Sequence, residues 1–406
     1  MSEGALSARI SDAPTDPIFG IVELHRADPR PHKINLAAGV YMDEQGVTPI
    51  LPSVRAAEER ILASTTSKLY MPISGDPAYL AAAKSLLFRT VGGVWGEIEP
   101  AASERVQMIH TPGGTGAVRL AVDLVSRLRP GAEIWVGEPT WPNHTQIIES
   151  SRITARRHDW ITDDARSLNT GALFDAIAAA KGGDAMILHG ACHNPTGIDP
   201  TPDQWIEIAQ QIAHRGILPI LDFAYQGFGE GLIEDAASLR AFLATGCEVL
   251  VASSSSKNFA LYNERVGSLA IIGADGAAAA SIASHARMAV RTMWSNPPAH
   301  GGAIVATILN DATLRAQWEG EVSAMRTRIQ ESRTAFAAAL TAAGAGDFSY
   351  LLDHHGMFSL LGLTDDQLKR LRDEHAVYLV ARGRINMAGL SAAKIPVVAK
   401  AVAAVR

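Results

Sequence analysis

Residues 247–273 read CEVLVASSSSKNFALYNERVGSLAIIG, two short apolar runs rich in β-branched residues that flank a polar loop. "CEVLVAS" and "VGSLAIIG" have the length and composition of buried strands, and between them stand one lysine, Lys257, after four serines and one arginine, Arg265. The same kind of run recurs upstream as "RVQMIH", "AEIWVG", "DAMILHG" and "ILPILD". Helical patterns such as "AVRLAVDLVSRL" and "TPDQWIEIAQQIAHRG" lie between them. This alternation predicts an α/β fold, a mainly parallel sheet with helices on both faces. Beyond about residue 310 the pattern turns helix-rich with short strands expected at "FSYLL", "GMFSLLG" and "AVYLVARGRINMAG". A large domain over 49–310 and a smaller α/β domain from 1–48 and 311–406 are therefore expected.

In open sheets of this kind ligands gather beyond the carboxyl ends of the strands. Here those ends carry "HTPGGTGA", "EPTWPNH", "HNPTGIDP", "DFAYQGF" and "SSSSKN", five polar loops brought to one crevice. The Gly-rich turn Gly113-Gly114-Thr115 opens a helix, where unpaired backbone N–H groups favour an anion such as a phosphate, although a plain strand-to-helix turn reads the same way. It lacks the lysine of the nucleotide P-loop and the full dinucleotide glycine pattern. Asp222 ends an apolar run and needs a cationic partner, either a protonated ring nitrogen or a structural arginine. Trp141 can stack on a planar ring or fill core. Asn194 precedes Pro195 in a tight turn where a cis bond fits. Arg291 and Arg384 suit bidentate capture of carboxylates. Cys192 beside His193 is set aside as a nucleophile because neighbours on an extended segment face opposite ways, and no His, Cys and carboxylate spacing matches a zinc site.

Composition narrows the partner. With 406 residues, 47% hydrophobic and 19% charged, the chain can bury a large core, and 36 basic against 42 acidic residues give a net charge of −6, with no general attraction to nucleic acid or an anionic membrane. Two cysteines are too few for a disulfide framework, and "MSEGALSARISDAP" lacks the basic-then-apolar pattern of a signal peptide, so a cytoplasmic protein acting on small molecules is expected. A lysine to form an imine, an aspartate for a ring nitrogen, an aromatic to stack, and a glycine turn with Ser254 and Arg265 for a phosphate are together what pyridoxal 5′-phosphate asks of a protein.

These residues lie in an ordered series of motifs: "NLAAGVYMDE", "TPGGTGA", "WPNH", "CHNPTGIDP", "DFAYQGF", "SKNFALYNERVG", "SNPPAHG" and "GRINMAG". From "PIFGIVELHRAD" to the C-terminus the chain resembles the class I aminotransferases of fold type I, in the aspartate and aromatic subfamily. The resemblance implies that Lys257 carries the cofactor and moves the substrate proton, and that Asp222 keeps the pyridine nitrogen protonated with His144 and His189 behind it. Tyr225 and Asn194 would bond the phenolic oxygen, and Trp141 would stack on the ring. Gly113, Gly114, Thr115, Ser254 and Arg265 would cradle the phosphate, joined by Tyr70 of a partner subunit. Arg384, with Gly39 near the entrance, would clamp the α-carboxylate, and Arg291 would reach across a homodimer to a distal carboxylate.

Specificity is mixed in the same motifs. Met42 stands where the subfamily often has lysine, Trp294 where tyrosine is usual, and "YMPISGDPAY" is nearer the aromatic branch, whereas Arg291 favours dicarboxylates. A broad enzyme for aspartate, glutamate and aromatic amino acids is the expectation. A lyase or decarboxylase would use the same Lys257 and Asp222. A regulator sensing pyridoxal phosphate would need a basic DNA-reading domain ahead of the matched region.

Overall fold

The computed structural model describes residues 12–406; the stretch 1–11, most of the segment read above for a targeting pattern, lies outside the described residues. Eleven strands are present among them: β1 (Ile34–Asn35), β2 (Val106–Pro112), β3 (Ile134–Glu138), β4 (Ala155–Asp159), β5 (Ala185–His189), β6 (Leu218–Phe223), β7 (Val249–Ser254), β8 (Val266–Ile272), β9 (Phe358–Leu360), β10 (Val377–Tyr378) and β11 (Arg384–Asn386). Seven form one sheet in the order β2-β8-β7-β6-β5-β3-β4, parallel throughout except that β8 runs antiparallel to both β2 and β7. The expected mainly parallel α/β sheet is therefore what the chain forms.

Strands β5, β6 and β8 are buried along their whole length, and the period of two sends alternate residues to two cores. Ile187, Ile220, Leu250 and Ala252 pack on one face with helices Gly113–Leu128 and Gly276–Met293. Leu188, Leu221, Val249 and Val251 pack on the other with Trp205 and Phe242. No helix of the described residues is long and apolar enough to cross a membrane.

Strand β4, sequence ARRHD, has no apolar run to announce it. It sits at the sheet edge, where only His158 is buried and the two arginines face solvent, as suits an edge that must not recruit another strand. "FSYLL" is a correction in the other direction: residues Ser349–Asp353 form a 3₁₀ turn, started by Asp347, whose Oδ1 accepts the backbone N–H of Ser349 at 2.9 Å. The two small sheets, β1 with β10 and β9 with β11, complete the chain's strands.

A 31-residue helix, Ala312–Ala342, is capped by Asp311, whose side chain accepts the N–H groups of Thr313 and Leu314. Trp318 stacks on Phe259 at 4.4 Å and donates its indole N–H to Asn258 O at 2.8 Å, which holds the residues following Lys257 in place. The functional loop is thus packed from behind by an aromatic pair.

Candidate active site

The five loops do converge. A cavity of about 170 Å³ at the carboxyl ends of the strands is lined by Gly39, Gly114, Thr115, Trp141, Asn194, Asp222, Tyr225, Ser254, Lys257 and Arg265 of the expected set. His189, Ser256 and Tyr262 line it too. Gly113 and Arg384 lie immediately behind the lining. Tyr70, 94% exposed, and Arg291, exposed with its guanidinium donating to Ser295 Oγ, stand outside this chain's cavity.

Asp222 finds neither an arginine nor solvent. Its Oδ2 accepts from His144 Nε2 at 3.0 Å, and Thr140 Oγ1 lies 2.9 Å from His144 Nδ1 and 3.0 Å from His189 Nε2. Asn194 N–H points at His189 Nδ1 at 3.5 Å. One assignment of protons satisfies every member: Asn194 N–H to His189 Nδ1, His189 Nε2–H to Thr140, Thr140 O–H to His144 Nδ1, and His144 Nε2–H to Asp222. Burial alone would raise the Asp222 carboxyl. The His144 hydrogen bond, with the electrostatic pull of the surrounding histidines and of Lys257, more than offsets it, so the group is held below the usual carboxylate range. Asp222 is a buried anion lining the cavity, suited to a cationic N–H.

Lys257 Nζ lies 4.8 Å from the centre of the Tyr225 ring. Its pKa is drawn down to about 8 by burial, partly restored by Asp222 and lowered again by Arg265. A lysine so tuned supplies neutral amine near physiological pH, which a nucleophile or general base requires. Burial pushes the Tyr225 phenol upward, keeping it protonated, and its oxygen accepts from Asn194 Nδ2 at 3.3 Å.

The phosphate end is built from backbone and two loops. Helix Gly113–Leu128 has no side-chain cap, so its first N–H groups, at Gly114 and Thr115, open into the cavity. Arg265 Nη1 donates to Ser256 Oγ at 3.4 Å and Tyr262 O at 3.1 Å, and Ser254 Oγ donates to Ser256 Oγ at 3.1 Å. Gly113 is required at the junction: its φ is +72°, and a Cβ there would stand 2.5 Å from Arg265 Nη2. Replacing Gly113 by Ala is expected to lower affinity for pyridoxal phosphate at least ~10-fold through both effects, in a dialysis measurement of cofactor retention.

Arg384 is 3% exposed and its pKa is lowered to about 10 by burial. Nη1 donates to Asn194 Oδ1 at 3.4 Å, Nη2 to Ala37 O, and Nε, buried, has no partner among the described residues. A buried guanidinium with no carboxylate and an idle N–H is costly unless a ligand anion completes it.

Cys192 is unreactive for a different reason from the one expected. The segment is not extended there: Cys192 has φ +56°, is 2% exposed, and burial pushes its thiol well up. Asp199 holds this turn by accepting the N–H groups of Cys192 and His193 at 2.6 and 2.8 Å, and the Asn194–Pro195 bond is cis, as is Glu138–Pro139. Ala224, Ser256 and Tyr262 are the lining residues that sequence reasoning does not single out. Ser256 was one hydroxyl among four, and the spacing of Tyr262 gives no sign of which way its ring points.

An anion cradle at a helix start, a tuned lysine, a buried carboxylate and an indole around one cavity fit the chemistry of pyridoxal phosphate. On a mainly parallel sheet they define a pyridoxal-phosphate enzyme of fold type I. Comparison with known proteins agrees. Residues 31–402 match the family "Aminotransferase class I and II". The aspartate aminotransferase of Salmonella typhi is 45% identical over 397 residues, 98% of this chain and 99% of that protein. The aromatic-amino-acid aminotransferase of Pseudomonas aeruginosa is 41% identical over 98% of both chains. Among solved structures, the aromatic-amino-acid aminotransferase of Burkholderia pseudomallei, covalently bound to pyridoxal phosphate, superposes with a TM-score of 0.94 at 40% identity over 99% of each chain. This chain belongs to the class I and II aminotransferase family, and its cofactor is pyridoxal 5′-phosphate.

Proposed function

We propose that this aminotransferase moves the α-amino group of aspartate, glutamate and aromatic amino acids to a 2-oxo acid such as 2-oxoglutarate, in two half-reactions at one site. The observation that carries the reading is the shared cavity of Lys257, with its pKa near 8, and Asp222, with the unfilled Nε of Arg384 behind Asn194. Relatives of both kinds, named for aspartate and for aromatic amino acids, match at 45% and 41% identity and support a broad donor range.

Bound pyridoxal phosphate supplies an electrophilic carbonyl carbon and an electron-accepting ring. Asp222 would face the ring nitrogen and keep it protonated. Trp141 would cover one face of the ring. Gly113, Gly114, Thr115, Ser254 and Arg265 would hold the phosphate, and Tyr225 with Asn194 would bond the phenolic oxygen. Arg384, assisted by Gly39, would grip the substrate α-carboxylate and so aim the Cα–H bond at Lys257. Lys257 Nζ, which tethers the cofactor at rest, would take that proton once the substrate amine has freed it.

Tyr70 and Arg291 complete the site only from a second copy, so the reading implies a homodimer with shared active sites. It also implies action in the cytoplasm and a division into a large unit over 49–310 and a smaller one from 1–48 and 311–406. Arg291 tests the specificity. Substituting Arg291 by Ala is expected to lower kcat/KM for aspartate by ~10²-fold or more, the cost of losing one charge-assisted carboxylate contact, and for phenylalanine by no more than a few fold. Equal losses on both donors, measured by steady-state kinetics, would remove Arg291 from the distal-carboxylate role.

A further inference from the structure

The Tyr262 hydroxyl sits between the two halves of the site. It accepts the backbone N–H of Tyr41 at 2.8 Å, while the carbonyl of the same residue accepts from Arg265 Nη1 at 3.1 Å. Tyr41 belongs to residues 37–42, the segment that lays Gly39 against the cavity. On its other side this segment is tied to the strand that carries Arg384. Arg384 Nη2 donates to Ala37 O, Asn386 Nδ2 donates to Ala38 O and Val40 O at 2.7 Å each, and Met42 N donates to Ala388 O at 3.0 Å. Among the described residues, Tyr262 is the one member of loop 255–265 whose side chain hydrogen-bonds to this segment.

We infer that Tyr262 is a positioning residue: its hydroxyl, through Tyr41 N–H and segment 37–42, fixes Arg384 relative to the cofactor loop. The inference rests on Arg384 being the carboxylate clamp. The physical argument is one of rigidity. Arg384 stands behind the cavity lining on a short strand of a two-stranded sheet, and its guanidinium is oriented by a carbonyl of the very segment that Tyr262 holds. Without the hydroxyl, Tyr41 N–H loses its acceptor, while the segment keeps its hydrogen bonds to Asn35 and to the Arg384 side. The clamp would then be tied to the cofactor side through its 3.4 Å bond to Asn194 and no longer through Tyr262. Burial holds the phenol protonated, so its oxygen serves as an acceptor for Tyr41 across the working pH range while its own proton is free for a group in the cavity.

The test is Tyr262→Phe in the holoenzyme, titrated with succinate, a dicarboxylate with no amine to transfer. Leaving a backbone N–H without its partner costs enough to weaken binding ~5- to 100-fold. The expected result is a loss of succinate affinity of roughly 10-fold. Affinity for pyridoxal phosphate, measured from the bound-cofactor absorbance, should change less than about 3-fold. Hydrogen exchange at the Tyr41 amide should quicken by a similar factor to the loss in succinate affinity. Arg384→Lys serves as the control. If it leaves succinate binding unchanged, the clamp reading itself fails. If Arg384→Lys weakens succinate while Tyr262→Phe does not, or if Tyr262→Phe weakens cofactor as much as succinate, the positioning role is overturned.

Discussion

Lys257→Ala is expected to lower turnover by at least ~10³- to 10⁴-fold, because on the proposed reading the substitution removes both the cofactor's covalent anchor and the amine that would move the substrate proton. The protein should remain folded. Among the described residues the Lys257 side chain makes no hydrogen bond that holds the loop, and its carbonyl, which accepts from Ala260 N–H, survives the substitution; Trp318 on Asn258 O and the Phe259–Trp318 stack also remain. Its charge in fact opposes folding. The folded-state pKa near 8 lies below the usual lysine value, so the unfolded chain binds the proton more tightly. The penalty is fully present below about pH 8 and fades as pH rises to the unfolded value near 10.5. The Lys257→Ala apoprotein is accordingly expected to match or exceed the wild-type apoprotein in denaturant resistance at pH 7, with that advantage shrinking toward pH 10. Near-normal turnover in the variant would refute the assignment.

Asp222→Asn carries the second large effect. The amide keeps the size of the side chain but cannot hold a negative charge against a cationic ring nitrogen, and its NH₂ would face His144 Nε2–H unless the ring network reorients. Losing one member of a buried charged pair costs about 3–5 kcal/mol, or roughly two to four orders of magnitude in kcat. Cofactor should still be retained, because the phosphate cradle at Gly114, Thr115 and Arg265 and the lysine are untouched. Rapid-quench measurement of the first half-reaction checks this. A loss below about 10-fold would show that the ring nitrogen does not depend on Asp222.

Much of this is legible in the sequence. The runs at β5, β6 and β7 are apolar because both faces are covered, and each ends in polar residues because the strand end leaves the core at the crevice. That is why Asp222 and Lys257 stood out. What escaped reading has physical causes of its own. Strand β4 is charged because it is an edge, so the pattern that marks buried strands is missing. Cys192 adopts a positive φ that a turn around Asp199 imposes and that no neighbouring glycine announces. Spacing alone leaves Asp222 with either a ring nitrogen or an arginine as partner; it is the resemblance that sets His144 behind it, and His144 does bond it from a helix 78 positions away. Tyr262 joins two segments 221 residues apart, a contact that periodicity cannot reveal.

The measurement that tests the central claim most directly is the visible absorption of the purified holoenzyme, mixed in turn with aspartate, glutamate, phenylalanine, tyrosine and tryptophan. The account predicts that the bound pyridoxal-phosphate band gives way to that of the pyridoxamine form with aspartate, glutamate and at least one aromatic donor, and that adding 2-oxoglutarate restores it. A band that none of the five donors shifts would contradict the proposed donors, and a protein that acquires no such band with added pyridoxal phosphate would contradict the site itself.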